Sequence, residues 1–234
     1  VVRYNTYYNG HQAFIDGNLE KEKGNKDNYT ELIPLYAVGN KTSREIGKSN
    51  YERTVEKMEK AIHRHSIKEK GKEQNPFLWK AWLMMGKAQF QMGQFEEAAA
   101  TFSYMARLYQ GQPLMSGLAR AWLAKCYTEL NWRYDAEDVI RNMSRDSMDF
   151  RAVKDWDYTY ANYYIRTAEY QKAIPYLEKA IKHEKRKVQK ARELYLLGQI
   201  HNLLGNQQQA YKAFGRVIRC SPPYALEFNA RISQ

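Results

Sequence analysis

Residues 194–222 read LYLLGQIHNLLGNQQQAYKAFGRVIRCSP, and the spacing within them decides the fold. Leu194, Leu197 and Gly198 share one side of an apolar helix, His201 follows three residues after the glycine, and Gly205 breaks the pattern. Ala210 comes twelve residues after Gly198 and opens a second apolar helix through Phe214 and Val217, which Pro222 closes. The same layout stands three times upstream, on Gly86 with Ala98, on Ala124 with Ala136 and on Ala161 with Ala173. Successive first anchors are 38, 37 and 37 residues apart. A regular step of this size marks stacked helical hairpins, each of which buries its apolar face only against its neighbours. The pattern points to a binding scaffold and not to an enzyme.

The small residues have a packing task. Around Gly86, the residues Trp82, Met85, Gln89, Phe90, Phe95, Ala98, Phe102 and Met105 keep helical spacing on both sides of a turn near Gly93. Gly86 and Ala98 let two antiparallel helices approach, while the aromatics fill gaps between hairpins. Equivalent slots hold Leu123, Tyr127 and Ile140, then Tyr160, Tyr164, Tyr170, Leu177 and Ala180. This predicts repeats over 77–110, 114–147, 153–187 and 190–222, with 224–234 opening a further helix.

The pattern resembles the tetratricopeptide repeat, a helix pair of about 34 residues with the signature W-x-x-L-G-x-x-Y, then Ala, an aromatic, Ala and Pro. The last unit matches best, although His201 stands in the slot usually held by Tyr. The resemblance implies an all-α fold, a right-handed superhelical solenoid of tetratricopeptide-like helix pairs in about five units. The longer step implies helices or turns extended by about one turn.

The first of the five units is interrupted. Tyr4 to Phe14, with Gly10 in the small slot, reads as a first helix, and Tyr51 to Ile67, with Val55, Met58, Ala61 and Ile62, as its partner, so that 1–67 form one repeat. Between them an irregular insertion over about 17–50 contains Gly17, Gly24, Pro34, Gly39 and Gly47. Its middle, Tyr29 to Val38, is too apolar for a plain linker. It is expected to run extended along the solenoid, because the residue before a proline is pushed out of the helical region. Capping the first repeat is its expected role, with docking of a partner as the alternative.

The 234 residues, 44% of them hydrophobic, suffice for a sizeable core, and repeats let them form a single domain over 1–234. No apolar run is long enough to span a bilayer, and Val1-Val2-Arg3-Tyr4 lacks the apolar stretch of a signal peptide. The absence of an initial Met and the abrupt helix start at 224–234 lead us to expect a fragment of a longer chain. Cys126 and Cys220 fall in distant repeats and make no disulfide framework, and Cys126 reads as a buried thiol. The net charge of +11 and pI of about 9.4 favour anionic partners in a salt-dependent way, with acidic protein, nucleic acid and anionic lipid all open.

Catalytic and cofactor motifs do not assemble. Gly47-Lys48-Ser49 lacks the upstream glycine of a phosphate-binding loop, since Thr42 stands there. His63 and His65 are two apart, which on a helix sends them to different faces, one exposed and one partly packed. No nucleophile elbow and no short cysteine spacing is present. Tyr158, Tyr160, Tyr163, Tyr164, Tyr170 and Tyr176 read as packing residues. No cofactor, metal or catalytic residue is expected.

Several stretches sharpen the family resemblance: Ala61-Ile62-His63-Arg64-His65-Ser66-Ile67, Asn75-Pro76-Phe77-Leu78, Trp82 to Phe90, Ala173 to Lys179, Lys182 to Lys187, and Pro222 to Ile232. Together they resemble the tetratricopeptide lipoproteins called SprE in gliding bacteria and PorW in type IX secretion. That resemblance covers nearly the whole chain. It implies an outer-membrane lipoprotein facing the periplasm, anchored through an N-terminal lipid that this chain does not include, whose partners are other envelope proteins of the secretion machinery. A generic tetratricopeptide adaptor, such as an outer-membrane assembly lipoprotein, is the alternative.

In tetratricopeptide stacks the first helix of each pair lines a concave groove. Counting from the anchors, the resemblance assigns to that groove Leu83, Lys87 and Phe90, then Ala121, Lys125 and Thr128, then Tyr158, Asn162 and Ile165, then Tyr195, Gln199 and Asn202, with Arg166 and Arg192 flanking. Such a lining can hydrogen-bond an extended peptide or partner helix while aromatics supply buried area. The Lys-and-Asn clamp for C-terminal carboxylates is not reproduced, because Tyr158 precedes Asn162. The densest basic patch is Lys182, Lys185, Arg186, Lys187 and Lys190, continuing to Arg192. It reads as a solvated junction that complements a helix C-terminus, with binding to nucleic acid or an anionic surface as the alternative. No specific nucleic acid is expected as a partner.

Overall fold

The structure, a computed structural model, describes residues 2–143 and 148–234, so the last four residues of the expected 114–147 repeat lie outside the described residues. The helices are α1 (Val2–Gly24), α2 (Lys41–Glu45), α3 (Lys48–His65), α4 (Leu78–Gln91), α5 (Phe95–Leu108), α6 (Pro113–Glu129) and α7 (Arg133–Arg141). They continue as α8 (Val153–Arg166), α9 (Tyr170–His183), α10 (Lys187–Leu203), α11 (Gln207–Arg219) and α12 (Tyr224–Ser233). The fold is all-α and of the tetratricopeptide class. Where the repeat spacing predicts one continuous domain, contacts divide the chain into two compact units. Unit 1 is Val1–Asn25 with Ala37–Trp156, and unit 2 is Lys26–Tyr36 with Asp157–Gln234.

The four regular helix pairs turn in one way, and the turn residue is seven after each anchor. Gly93, Asn131, Ala168 and Gly205 take left-handed backbone angles, with φ of 73°, 59°, 57° and 76°. At each, the next residue donates its N–H back to the carbonyl five residues earlier: Gln94 to Gln89, Trp132 to Tyr127, Glu169 to Tyr164 and Asn206 to His201. This closing motif satisfies carbonyls that a helix end would leave bare. Gly and Asn accept the left-handed angle readily, whereas Ala168 holds it against its own Cβ.

Each anchor is matched in size to a residue sixteen positions on. A Cβ on Gly86 would lie 2.4 Å from the Phe102 ring, and one on Gly198 would lie 2.6 Å from the Phe214 ring. Where the anchor is instead Ala124 or Ala161, the residue sixteen on is Ile140 or Leu177. Close packing leaves no volume for both a methyl and a phenyl ring in this slot.

The N-terminal helix corrects the expected insertion over 17–50. Helix α1 continues through Gly17 to Gly24 because Gly10, Gly17 and Gly24, seven apart, share the face packed on Ile46 and α3. A Cβ on Gly10 would lie 2.6 Å from Met58, one on Gly17 2.9 Å from the Tyr51 ring, and one on Gly24 3.2 Å from Ile46. Gly10 and Gly17 serve close approach inside the helix, and Gly24 does so at its last residue. Asn40 then caps α2, its side chain accepting from the Ser43 N–H at 2.8 Å. After α3, residues Lys68–Glu69 and Lys72–Glu73 pair as a small antiparallel hairpin turning at Lys70 and Gly71, both at positive φ. The buried Glu73 carboxylate accepts from the N–H groups of Ile67 and Asn75 at 2.9 Å each.

Candidate functional site

Helix α10 of unit 2 has two working faces. Leu194, Leu197 and Ile200 point into the unit's core with Phe214 and Val217, while Arg192, Tyr195 and Gln199, spaced three and four apart, form a second stripe. The chain's own segment 26–36 sits on that stripe, in the same unit.

The Gln199 amide reads the segment's backbone in both directions. Its Oε1 accepts from the Ile33 N–H at 3.0 Å, and its Nε2 donates to the Glu31 carbonyl at 2.7 Å. Tyr195 donates to the Tyr29 carbonyl at 3.4 Å and meets the Tyr29 ring edge-on at 5.3 Å. Arg192 gathers both ends. Its guanidinium donates to the Asp27 carboxylate at 2.6 and 3.0 Å, to the Leu35 carbonyl at 3.0 Å and to the Pro34 carbonyl at 2.5 Å. The Arg192 and Asp27 side chains are only 12% and 7% exposed. Ile33 and Leu35, 1% and 2% exposed, join the hydrophobic cluster of unit 2.

Two expectations for the insertion are corrected by this geometry. The middle of the insertion is not extended along the repeats but folds into a closed loop whose ends meet on Arg192. Nor does it cap the first repeat: it packs on α10, because Ile33 and Leu35 find their apolar surface there. An Asx turn, in which the Asn28 side chain accepts from the Thr30 N–H at 3.1 Å, shapes its start.

Beside the loop two carboxylates, the buried Glu193 and the half-buried Glu184, meet at one phenol. The Tyr158 ring packs 6.3 Å from that of Tyr36, and its hydroxyl lies 2.7 Å from Glu193 Oε1 and 2.9 Å from Glu184 Oε2. Burial pushes the Glu193 carboxyl up to about 7, against the hydrogen bonds from Tyr158 and Gln189. The Tyr158 phenol is raised far above its usual range, first by burial and then by the Glu193 charge.

The groove positions assigned in unit 1 do not form an open groove. Phe90 is packed between Phe95 and Trp122, at ring distances of 5.3 and 5.4 Å. Ala121 and Lys125 are buried, Thr128 turns its hydroxyl onto the Ala124 carbonyl at 2.8 Å, and Leu83 and Lys87 are half-buried. The cause is Trp122, two residues before the anchor, whose ring fills the space. The Lys125 ammonium stands 3.7 Å from its centre and that of Lys87 5.2 Å. Burial pulls Lys125 down to about 7, with Asp155 opposing and Lys87 adding to the shift. In unit 2, Asn162 and Ile165 are also buried, and only Arg166 and Asn202 of the assigned residues are exposed.

The basic patch divides between two helix ends. Lys182, in the last turn of α9, sits where the helix dipole favours a cation, but Lys187 and Lys190 open α10, where it does not. Complementing a C-terminus therefore explains only part of the run. Lys182, Lys185, Arg186 and Lys187 are exposed. His63 is exposed and His65 half-buried, and both cysteines are free, Cys126 buried with its thiol raised by burial. Among the described residues no helix is long and apolar enough to cross a membrane.

Asp27, Glu193 and the 31–33 backbone escape a sequence reading. Arg192 and Asp27 are 165 residues apart, and no local spacing announces such a pair.

Tetratricopeptide repeat families match residues 80–111 and 158–225. No curated protein matches the chain. Among solved structures, it is similar to a crystal structure of nearly identical TPR-like repeats from a Podosopora anserina protein assigned to the kinesin light chains. The TM-score is 0.50 at 14% identity, over 74% of this chain and 87% of that one. That likeness concerns the fold. The repeats indicate a protein-interaction scaffold, and no catalytic family is indicated.

Proposed function

We propose that this chain is a non-catalytic scaffold of the bacterial envelope, a periplasm-facing, lipid-anchored component of type IX secretion and gliding machinery that holds other envelope proteins. The observation that carries the scaffold reading is the stripe Arg192, Tyr195 and Gln199, which engages a peptide segment largely through its backbone atoms. Side chains that bond to backbone accept many sequences, as a peptide-binding surface requires. The pathway rests on the sequence resemblance to the SprE and PorW lipoproteins, and the compartment follows from the same resemblance.

Affinity purification from envelope extract with the chain as bait, followed by mass spectrometry, tests the reading. Recovery of type IX secretion subunits, absent from a bait with an unrelated helical repeat, is the expected result. Recovery of outer-membrane assembly proteins instead would turn the assignment to a generic adaptor. A deletion strain that secretes its cargo normally would remove the pathway and leave the scaffold.

A further inference from the structure

The loop 26–36 is attached to unit 2 in the manner of a ligand. Within the loop, the Asx turn at Asn28 and the Glu31 N–H to Asn28 carbonyl bond at 3.2 Å give local order. Its anchorage comes from α10, through Arg192, Tyr195 and Gln199. Most of those bonds reach backbone carbonyls or an N–H, which any segment of suitable shape supplies. The carboxylate on Arg192, the buried side chains of Ile33 and Leu35, and the rings of Tyr29 against Tyr195 and Tyr36 near Tyr158 are the contacts that require particular residue types.

We propose that this loop is a built-in ligand filling the α10 face, and that the face takes in its place an acidic peptide segment. The incoming carboxylate takes the position of Asp27 on Arg192, its backbone takes the Glu31 and Ile33 bonds on Gln199, and two apolar side chains replace Ile33 and Leu35. The inference rests on the scaffold reading and names the partner chemistry of that surface. The net charge of +11 favours the approach of such a partner. A segment tethered at both ends competes at an effective concentration in the millimolar range, so it lowers the apparent affinity for any free peptide. The loop acts as a selectivity filter: weak binders do not displace it.

The test uses a fluorescent synthetic peptide with the sequence of residues 26–36 and the full chain in three forms. These are the natural chain, a chain with residues 27–35 replaced by Gly and Ser at equal length, and that replaced chain carrying Arg192→Ala. The expected result is peptide binding at least about tenfold tighter by the Gly/Ser chain than by the natural chain, lost at least about tenfold with Arg192→Ala. Equal binding by the natural and Gly/Ser chains would overturn the proposal. So would absence of binding by a Gly/Ser chain that keeps its helical circular dichroism, or loss of that signal, which would make the loop part of the core. Hydrogen exchange on the natural chain gives a second reading that needs no variant. The Ile33 amide is expected to exchange at least about tenfold faster than the Leu196 and Leu197 amides, and equal rates would show that the loop never opens alone. Because only purified chain and peptide are used, failure here is distinct from failure to recover secretion subunits.

Discussion

Helix α6 in unit 1 and helix α10 in unit 2 hold the same place in their helix pairs and run for 17 residues each, yet they bury charges of opposite sign. α6 turns Lys125 onto Trp122, and burial brings its ammonium down to about 7. α10 turns Glu193 towards Tyr158, and burial brings its carboxyl up to about 7. In both, desolvation outweighs the neighbours that favour the charged form, Asp155 for the lysine and Tyr158 with Gln189 for the glutamate. The repeat dictates helix length and apolar spacing, while each unit sets its buried polar groups separately.

Opposite signs give opposite responses to pH. The folded Glu193 keeps a proton that its unfolded form loses above the ordinary 4.5, so this group's contribution to stability falls as pH rises from about 4.5 to about 7 and is level above. The folded Lys125 gives up a proton that its unfolded form keeps to 10.5, so its contribution rises from about pH 7 towards 10.5 and is lost as pH falls through 7.

The two units can be followed separately, because all five tryptophans lie in unit 1 and unit 2 has none. Gly198→Leu carries the largest expected effect: the new side chain meets the Phe214 ring and costs about 3 kcal/mol or more. Urea unfolding by circular dichroism should show the loss while the tryptophan transition stays in place, and a shift of both would end the separate treatment of the units. Glu193→Gln should stabilise unit 2 by about 2 kcal/mol at pH 8 and give no gain at pH 4. An equal gain at both pH values would mean that Glu193 is charged throughout. Lys125→Met probes the other side: tryptophan-detected stability of the natural chain should rise between pH 7 and 9, and the variant should lose about 1 kcal/mol per pH unit of that rise, the remainder coming from Lys21, which burial also brings down to about 7. The smallest expected effect is at Ala168, where Ala168→Gly relieves the left-handed angle and should stabilise by about 0.5–1 kcal/mol in thermal denaturation. Destabilisation there would show that the Ala methyl is needed for packing.

The parts of the fold legible in sequence are those that repeat. Gly86, Ala124, Ala161 and Gly198, each with an Ala twelve residues on, locate the helix pairs from α4 to α11, because close approach of two helices demands small residues at fixed spacing. Gly17 misleads for the same reason: a glycine that admits Tyr51 reads in one dimension like one that ends a helix, as Gly24 does seven residues on. Arg192, Tyr195 and Gln199 are legible as one surface from their spacing on α10. Their occupant is not, since Asp27 and Ile33 reach that surface from the far end of the chain. Counting from the anchors puts Phe90, Lys125 and Thr128 in an open groove, and Trp122 closes that face.

The two pieces of unit 2 are also separated in time. Asp27 leaves the ribosome 165 residues before Arg192, which at a synthesis rate of about 5–20 residues per second is a delay of roughly 10–30 s. Throughout that interval Ile33 and Leu35 have no α10 to cover them, while helices α1 to α7 of unit 1 are already being made. Closing so long a stretch of chain is also an entropic cost that neighbouring hairpins do not meet. The loop is among the first parts of this protein to be made and among the last to find its place.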